Sequence, residues 1–156
     1  MLAGFRQLLP SRIQQNQSNS DNIDPGQLTR NFHIDEFKCR DGSDVPKEYI
    51  ENVRTLCENL QVIRETVDQP IRVISGYRTP DYNKKIKGAK KSQHMLAKAA
   101  DIRIRGMSPR KVRAVIIGLI KKGQISSGGV GLYRTFVHYD IRGRNARWYG
   151  RGLKKK

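Results

Sequence analysis

Residues 45–67, VPKEYIENVRTLCENLQVIRETV, limit the folds open to this chain more than any other stretch. Tyr49, Ile50, Val53, Leu56, Cys57, Leu60, Ile63 and Val67 recur at the spacing of a single helical face, with charged and amide side chains between them. Pro46 suits the first turn of such a helix, and Asp68–Pro70 stops it. A long helix that is apolar on one side needs a second layer to cover that side. A second helix is predicted in MSPRKVRAVIIGLIKKG, residues 107–123. There Ser108 can cap, Pro109 fits the first turn and Gly123 fits the end. Its apolar face is Val112, Val115, Ile116, Leu119 and Ile120.

The covering layer reads as a sheet. IRVISGY, residues 71–77, alternates Ile71, Val73 and Ser75 against Arg72, Ile74 and Gly76. AADIRIR (99–105), GGVGLY (128–133) and TFVHYDIR (135–142) supply three further strands, with Arg134 near the turn between the last two. RTPDYNKKIKGAKK, residues 78–91, opens with turn formers and reads as a loop holding one helical turn. No internal repeat is visible. The order helix, strand, loop, strand, helix, strand, strand predicts a small α+β domain, mainly antiparallel, with the helices on one side.

At 156 residues the chain suffices for one domain with its own core. No run reaches the roughly 18 apolar residues of a membrane span. The start, MLAGFRQLLPSR, is broken by Arg6 and Pro10 before it can supply a signal-peptide core, so secretory export is not expected. Cys39 and Cys57 make no CxxC pair, and Cys57, on the apolar face of the first helix, is expected to be a buried thiol.

Residues 1–29 read as a polar extension, with QQNQSNSDNIDPGQ unable to bury a core. Ahead of it Leu2, Phe5, Leu8, Leu9 and Ile13 lie near helical spacing, as either a docking helix or a frayed terminus. Residues 30–144 are the expected folded domain and 145–156 a basic tail. That tail is expected to pack through Trp148 and to leave the final lysines exposed. The net charge is +17, from 31 Lys and Arg against 14 acids. Such a field either attracts polyanions (nucleic acid, an anionic membrane surface, an acidic wall polymer) or is simply a basic solvated surface.

Three histidines occur in the whole chain. Strand alternation turns His138 and Asp140 to one face, with Val137, Tyr139 and Ile141 on the other. His94 and Asp101 flank MLAKAA, whose Ala97, Ala99 and Ala100 let the chain bend back on itself. His94, Asp101 and His138 then approach one ion as N, O and N ligands, leaving a fourth position for water, as in a catalytic zinc site. Zinc in such a site lowers the pKa of its water from about 15.7 toward about 7. His33, outside this set, reads as structural or exposed.

Three ordered blocks, SGYRTPDYN, SQHMLAKAAD and GGVGLYRTFVHYDIRG, resemble the zinc D-alanyl-D-alanine carboxypeptidase family, which includes phage endolysins and murein carboxypeptidases. The resemblance runs from about Asn31 to Arg144. It implies one Zn2+ held by His94, Asp101 and His138. It places Arg78 near the substrate's carboxylate or scissile carbonyl, and gives Ser92 the support of the metal loop. Related enzymes often carry an acid or histidine a few residues before the last zinc histidine, as general base. Residues 132–136 here read LYRTF. Asp140 is therefore the candidate base, or else the residue that orients His138, and Tyr133 is a candidate oxyanion donor.

The implied function is cleavage of an amide bond next to a D-amino acid in bacterial peptidoglycan, by an endolysin or a virion-associated lysin. Such a protein would reside in the host cytoplasm before release to the wall, or in the virion, with virion or tail proteins as partners of the N-terminal extension. A non-catalytic wall-binding or virion structural module of the same fold is the first alternative. A nucleic-acid-binding protein is the second, suggested by the charge and by Trp148 and Tyr149 among Arg and Lys.

Overall fold

The apolar face of residues 45–67 becomes α1 (Ile50–Val67), entered through a 3-10 turn at Lys47–Tyr49, in a computed structural model that describes residues 24–155. Asp68 ends α1 in a left-handed conformation (φ 49°). Val53, Leu56, Cys57, Leu60 and Ile63 are fully buried, each apolar side chain of this size contributing about 1.5–3 kcal/mol. A short α2 (Pro80–Lys85) follows Thr79, whose hydroxyl accepts from the Tyr82 amide. α3 (Pro109–Lys121) starts as expected at Ser108, whose Oγ accepts from the Lys111 amide at 3.4 Å.

Two short strands, β1 (Gln27–Thr29) and β2 (Phe32–His33), form a hairpin against α1. The main sheet holds β3 (Ile71–Ser75), β4 (Ala99–Ile104), β5 (Gly129–Leu132), β6 (Val137–Asp140) and β7 (Ala146–Tyr149) in the order β3-β4-β6-β5-β7. Every neighbouring pair is antiparallel except β5–β7, which is parallel. The domain is thus α+β, mainly antiparallel.

Register divides the sheet into two faces. Ile71, Val73, Ala100, Ile102, Val130, Leu132, Val137 and Tyr139 point at α1 and α3 and form one core with them. The Tyr139 hydroxyl, inside that core, donates to the Ser126 carbonyl at 2.7 Å. On the opposite face one row crosses all five strands: Ser75 pairs with Asp101, Asp101 with His138, His138 with Gly131, and Gly131 with Trp148. Strict alternation would put Ser75 with Ile71 and Val73. A register shift between Val73 and Ser75 turns it to the Asp101 side instead.

Both ends of the domain differ from the sequence reading. Residues 27–29, expected in the extension, pair with β2, and Leu28 packs on the core. Residues 146–149, expected in the tail, become an edge strand, reached over a turn in which Gly143 adopts φ 85°. Neither segment has enough apolar surface to fold alone. Each becomes a strand because an existing edge offers its backbone partners. The helical spacing of Leu2 to Ile13 lies outside the described residues. Cys39 and Cys57 are both buried free thiols, and burial pushes the Cys57 thiol up. His33 caps the 3-10 turn Ile34–Phe37 by accepting from the Asp35 amide, a structural role.

Candidate metal centre

Asp101 and His138 face each other on adjacent strands because Ala99–Ile104 and Val137–Asp140 pair in that register. His94 arrives from a 3-10 turn, Gln93–Leu96. Ser92 caps this turn, its Oγ accepting from the His94 amide at 3.3 Å, and Ala97 closes it at φ 54°. The chain then doubles back through the buried alanines 97, 99 and 100, so that His94 lies over Asp101. His94, Asp101 and His138 are only 2%, 5% and 7% exposed.

The ring nitrogens settle the chemistry. His94 Nδ1 lies 2.7 Å from the Gly76 carbonyl, which can only accept, so Nδ1 carries the proton and Nε2 is bare. His138 Nε2 lies 2.7 Å from Asp140 Oδ2, which can only accept, so Nε2 carries a proton and Nδ1 faces inward. Bare His94 Nε2 and His138 Nδ1 point at Asp101 Oδ1, at 3.2 and 3.1 Å. The three ligand atoms lie within 4.8 Å of one another. Two ring nitrogens and a carboxylate oxygen converging in a buried site form a set that could hold a metal ion.

Charges follow the same logic. Burial depresses the His94 pKa, outweighing the pull of Asp101, so His94 is neutral. Burial also opposes a charge on His138, but bonds from Asp101 and Asp140 overcome it and raise its pKa in the metal-free protein. Burial works against the Asp101 carboxylate, yet the two histidines hold its pKa well below the usual range.

Of the residues singled out in the sequence, Arg78, Ser92, His94, Asp101, Tyr133 and His138 line one cleft of about 520 Å³. Arg78 donates from Nη2 to Asp101 Oδ2 at 3.0 Å and from Nε to Ser75 Oγ at 3.2 Å. Asp140 stands apart from this wall. It is fully buried behind His138, and its oxygens accept from the Gly129 amide (2.9 Å), the Arg142 amide (3.1 Å), Arg142 Nε (2.8 Å) and Arg142 Nη2 (2.6 Å). Burial raises its pKa, but Arg142 and His138 outweigh that and hold the carboxylate ionised far below its ordinary value.

Three contributions escaped the sequence reading. The Gly76 carbonyl fixes the His94 tautomer, and glycine is required there because a Cβ would stand 2.6 Å from the Phe37 Cα. Arg142 clamps Asp140, and the spacing Asp140-x-Arg142 was the available signal. Trp148, expected only as an anchor or a stacking surface, has its ring centroid 5.0 Å from that of His138, and its Nε1 donates to the Tyr133 hydroxyl at 3.1 Å. Tyr133 in turn stacks on Phe136 at 4.4 Å.

A buried His–Asp–His set that could hold a metal ion lies on the open face of a mainly antiparallel sheet, at the floor of a cleft in an α+β domain. The profile of the family described as Peptidase M15 matches residues 27–140, most of the chain. The chain therefore belongs to that family, the zinc D-Ala-D-Ala carboxypeptidase family of metallopeptidases. The matched span begins at β1 and ends at Asp140, so Arg142 and Trp148 lie beyond it. No curated protein matches the chain. No helix among the described residues is long and apolar enough to cross a membrane.

Proposed function

We propose that this protein is a zinc-dependent murein peptidase that cleaves an amide bond next to a D-amino acid in bacterial peptidoglycan. The observation that carries the reading is the convergence of His94 Nε2, Asp101 Oδ1 and His138 Nδ1, each ring oriented by a bond on its far side. These three atoms would hold the ion, and zinc bound there would supply a Lewis acid for activating water and polarising the amide carbonyl.

The other residues act around that centre. Ser92 braces the turn that presents His94. Asp140, locked by Arg142, holds the His138 tautomer. This assignment takes the place of the general-base role, because a carboxylate with four other donors and no exposure cannot reach a substrate proton. Arg78, at the cleft wall, steadies a substrate carboxylate or the oxygen that gains charge during the reaction. The Tyr133 hydroxyl accepts from Trp148, which leaves its own hydrogen free to donate to the same oxygen. Biologically this is an endolysin or a virion-associated lysin, with the polar segment ahead of β1 docking on virion proteins and the basic residues that follow β7 attracted to the anionic wall.

The experiment is metal analysis of the purified protein together with digestion of purified peptidoglycan, the products read by mass spectrometry. One zinc per chain and new amine and carboxyl ends at a D-residue are expected. Intact peptidoglycan after incubation with zinc-loaded protein would overturn the enzyme reading. One observation favours a second reading, a wall-binding module that keeps the metal but not the activity: among the described residues Asp101 is the only carboxylate lining the cleft. The same digestion separates the two.

A further inference from the structure

A second cleft, of about 270 Å³, adjoins the metal centre and is walled by Arg40, Arg72, Arg78 and Arg103. Arg78, Ile86, Asp101 and Phe136 line both clefts, so the two are continuous. Arg72 and Arg103 are exposed and stand directly opposite each other in the β3–β4 register. Like charges in that position destabilise a sheet unless something between them carries the opposite charge. No described carboxylate does so: of the four arginines only Arg78 has an acidic partner among the described residues, namely Asp101.

The arginines are also held in place. Arg103 donates from Nε to the Thr135 carbonyl at 2.8 Å and from Nη2 to the Thr135 hydroxyl at 3.1 Å. Arg78 is fixed by Ser75 and Asp101. Both are anchored along one edge of the guanidinium, and each keeps Nη1 without a partner among the described residues. Such forks suit planar two-oxygen anions.

We propose that this cleft is a subsite for a second carboxylate of the peptide substrate, distinct from the group that Arg78 steadies at the reacting amide. The identity of the ligand rests on the peptidase reading. Its placement rests on continuity: Asp101 and Phe136 belong to both walls, so an anion between Arg72 and Arg103 belongs to the molecule that reaches the metal centre. The favoured substrate is then a peptide carrying a free side-chain carboxylate beside its D-residue.

The test uses the full-length, zinc-loaded protein and two short D-residue peptides that differ only in a free carboxylate against a carboxamide. Binding is followed by fluorescence of Trp148, the single tryptophan, at fixed ionic strength. The wild type should bind the free acid about tenfold more tightly, the effect of one charge-assisted pair. Arg72→Gln should lose that preference while binding the amide as wild type does. Its melting temperature should not fall, since a like-charge pair is removed. Equal wild-type affinity for the two peptides would overturn the proposal. So would inorganic phosphate abolishing the preference at the peptide's own concentration, which would assign the cleft to phosphate. Preference without peptidoglycan digestion removes the peptidase reading alone; digestion without preference removes the subsite alone.

Discussion

Asp140 shows how much one side chain's surroundings decide. Were it the base, Asp140→Asn would leave zinc affinity intact and lower turnover by roughly two to four orders of magnitude. As the residue that orients His138, the same change should weaken zinc binding about 10–100-fold, with much of the activity returning at saturating zinc. Competition with a chromogenic chelator, paired with turnover across zinc concentrations, decides between them. His138→Ala should remove zinc binding and wall lysis together, while circular dichroism shows a folded domain, because β6 keeps Val137 and Tyr139 in the core. Protons compete with the metal at the same nitrogens. Asp101 stays ionised, and His138 has a raised pKa when no metal is bound, so the metal must displace a proton there as the medium becomes acidic. Zinc affinity should therefore fall as the pH drops below neutrality. An affinity independent of pH would contradict the histidine ligands.

At the scale of elements, the two layers divide the labour: α1 and α3 stabilise, and the open sheet face carries the chemistry. Leu60→Ala, at a fully buried α1 position, should cost about 2–5 kcal/mol of stability in denaturant titrations, without altering the site's bonds. β7 belongs to both labours, since its Tyr149 packs on the core and its Trp148 covers His138. Gly131 makes that cover possible, because a Cβ there would stand 2.4 Å from the indole. Gly131→Ala should push the indole aside. The expected results are a shifted tryptophan emission, weaker peptide binding and a retained fold, since the Gly131 backbone is not left-handed. Unchanged emission would mean the strand yields and the indole does not.

For the whole molecule, the charge of +17 acts at long range, whereas the metal centre acts only on contact. Replacing Lys154 and Lys155 with Gln lowers the charge to +15 (17 minus 2) and touches neither cleft. Sedimentation with purified walls at low salt should weaken, the difference from wild type should vanish near physiological ionic strength, and cleavage of a small peptide should be unaffected. Equal loss of wall binding and peptide cleavage would make these lysines structural.

Periodicity and spacing within the chain determined the helices, the antiparallel strands and the face on which His138 lies, because these follow from local geometry that repeats every 3.6 or 2 residues. The ordered blocks around Arg78, His94, Asp101 and His138 pointed to the metal set before any distance was known. What remained depended on partners remote in sequence. β1 and β7 are strands only because β2 and β5 offer edges. Ser75 reaches Asp101 only through a register shift. Arg72 and Arg103, 31 positions apart (103 minus 72), face each other only once β3 and β4 pair. Asp140 could be read as either base or brace from its alternation with His138. The brace proposed above rests on burial and on Arg142, both products of packing, which fix a carboxylate's solvent and partners in ways that no single strand can express.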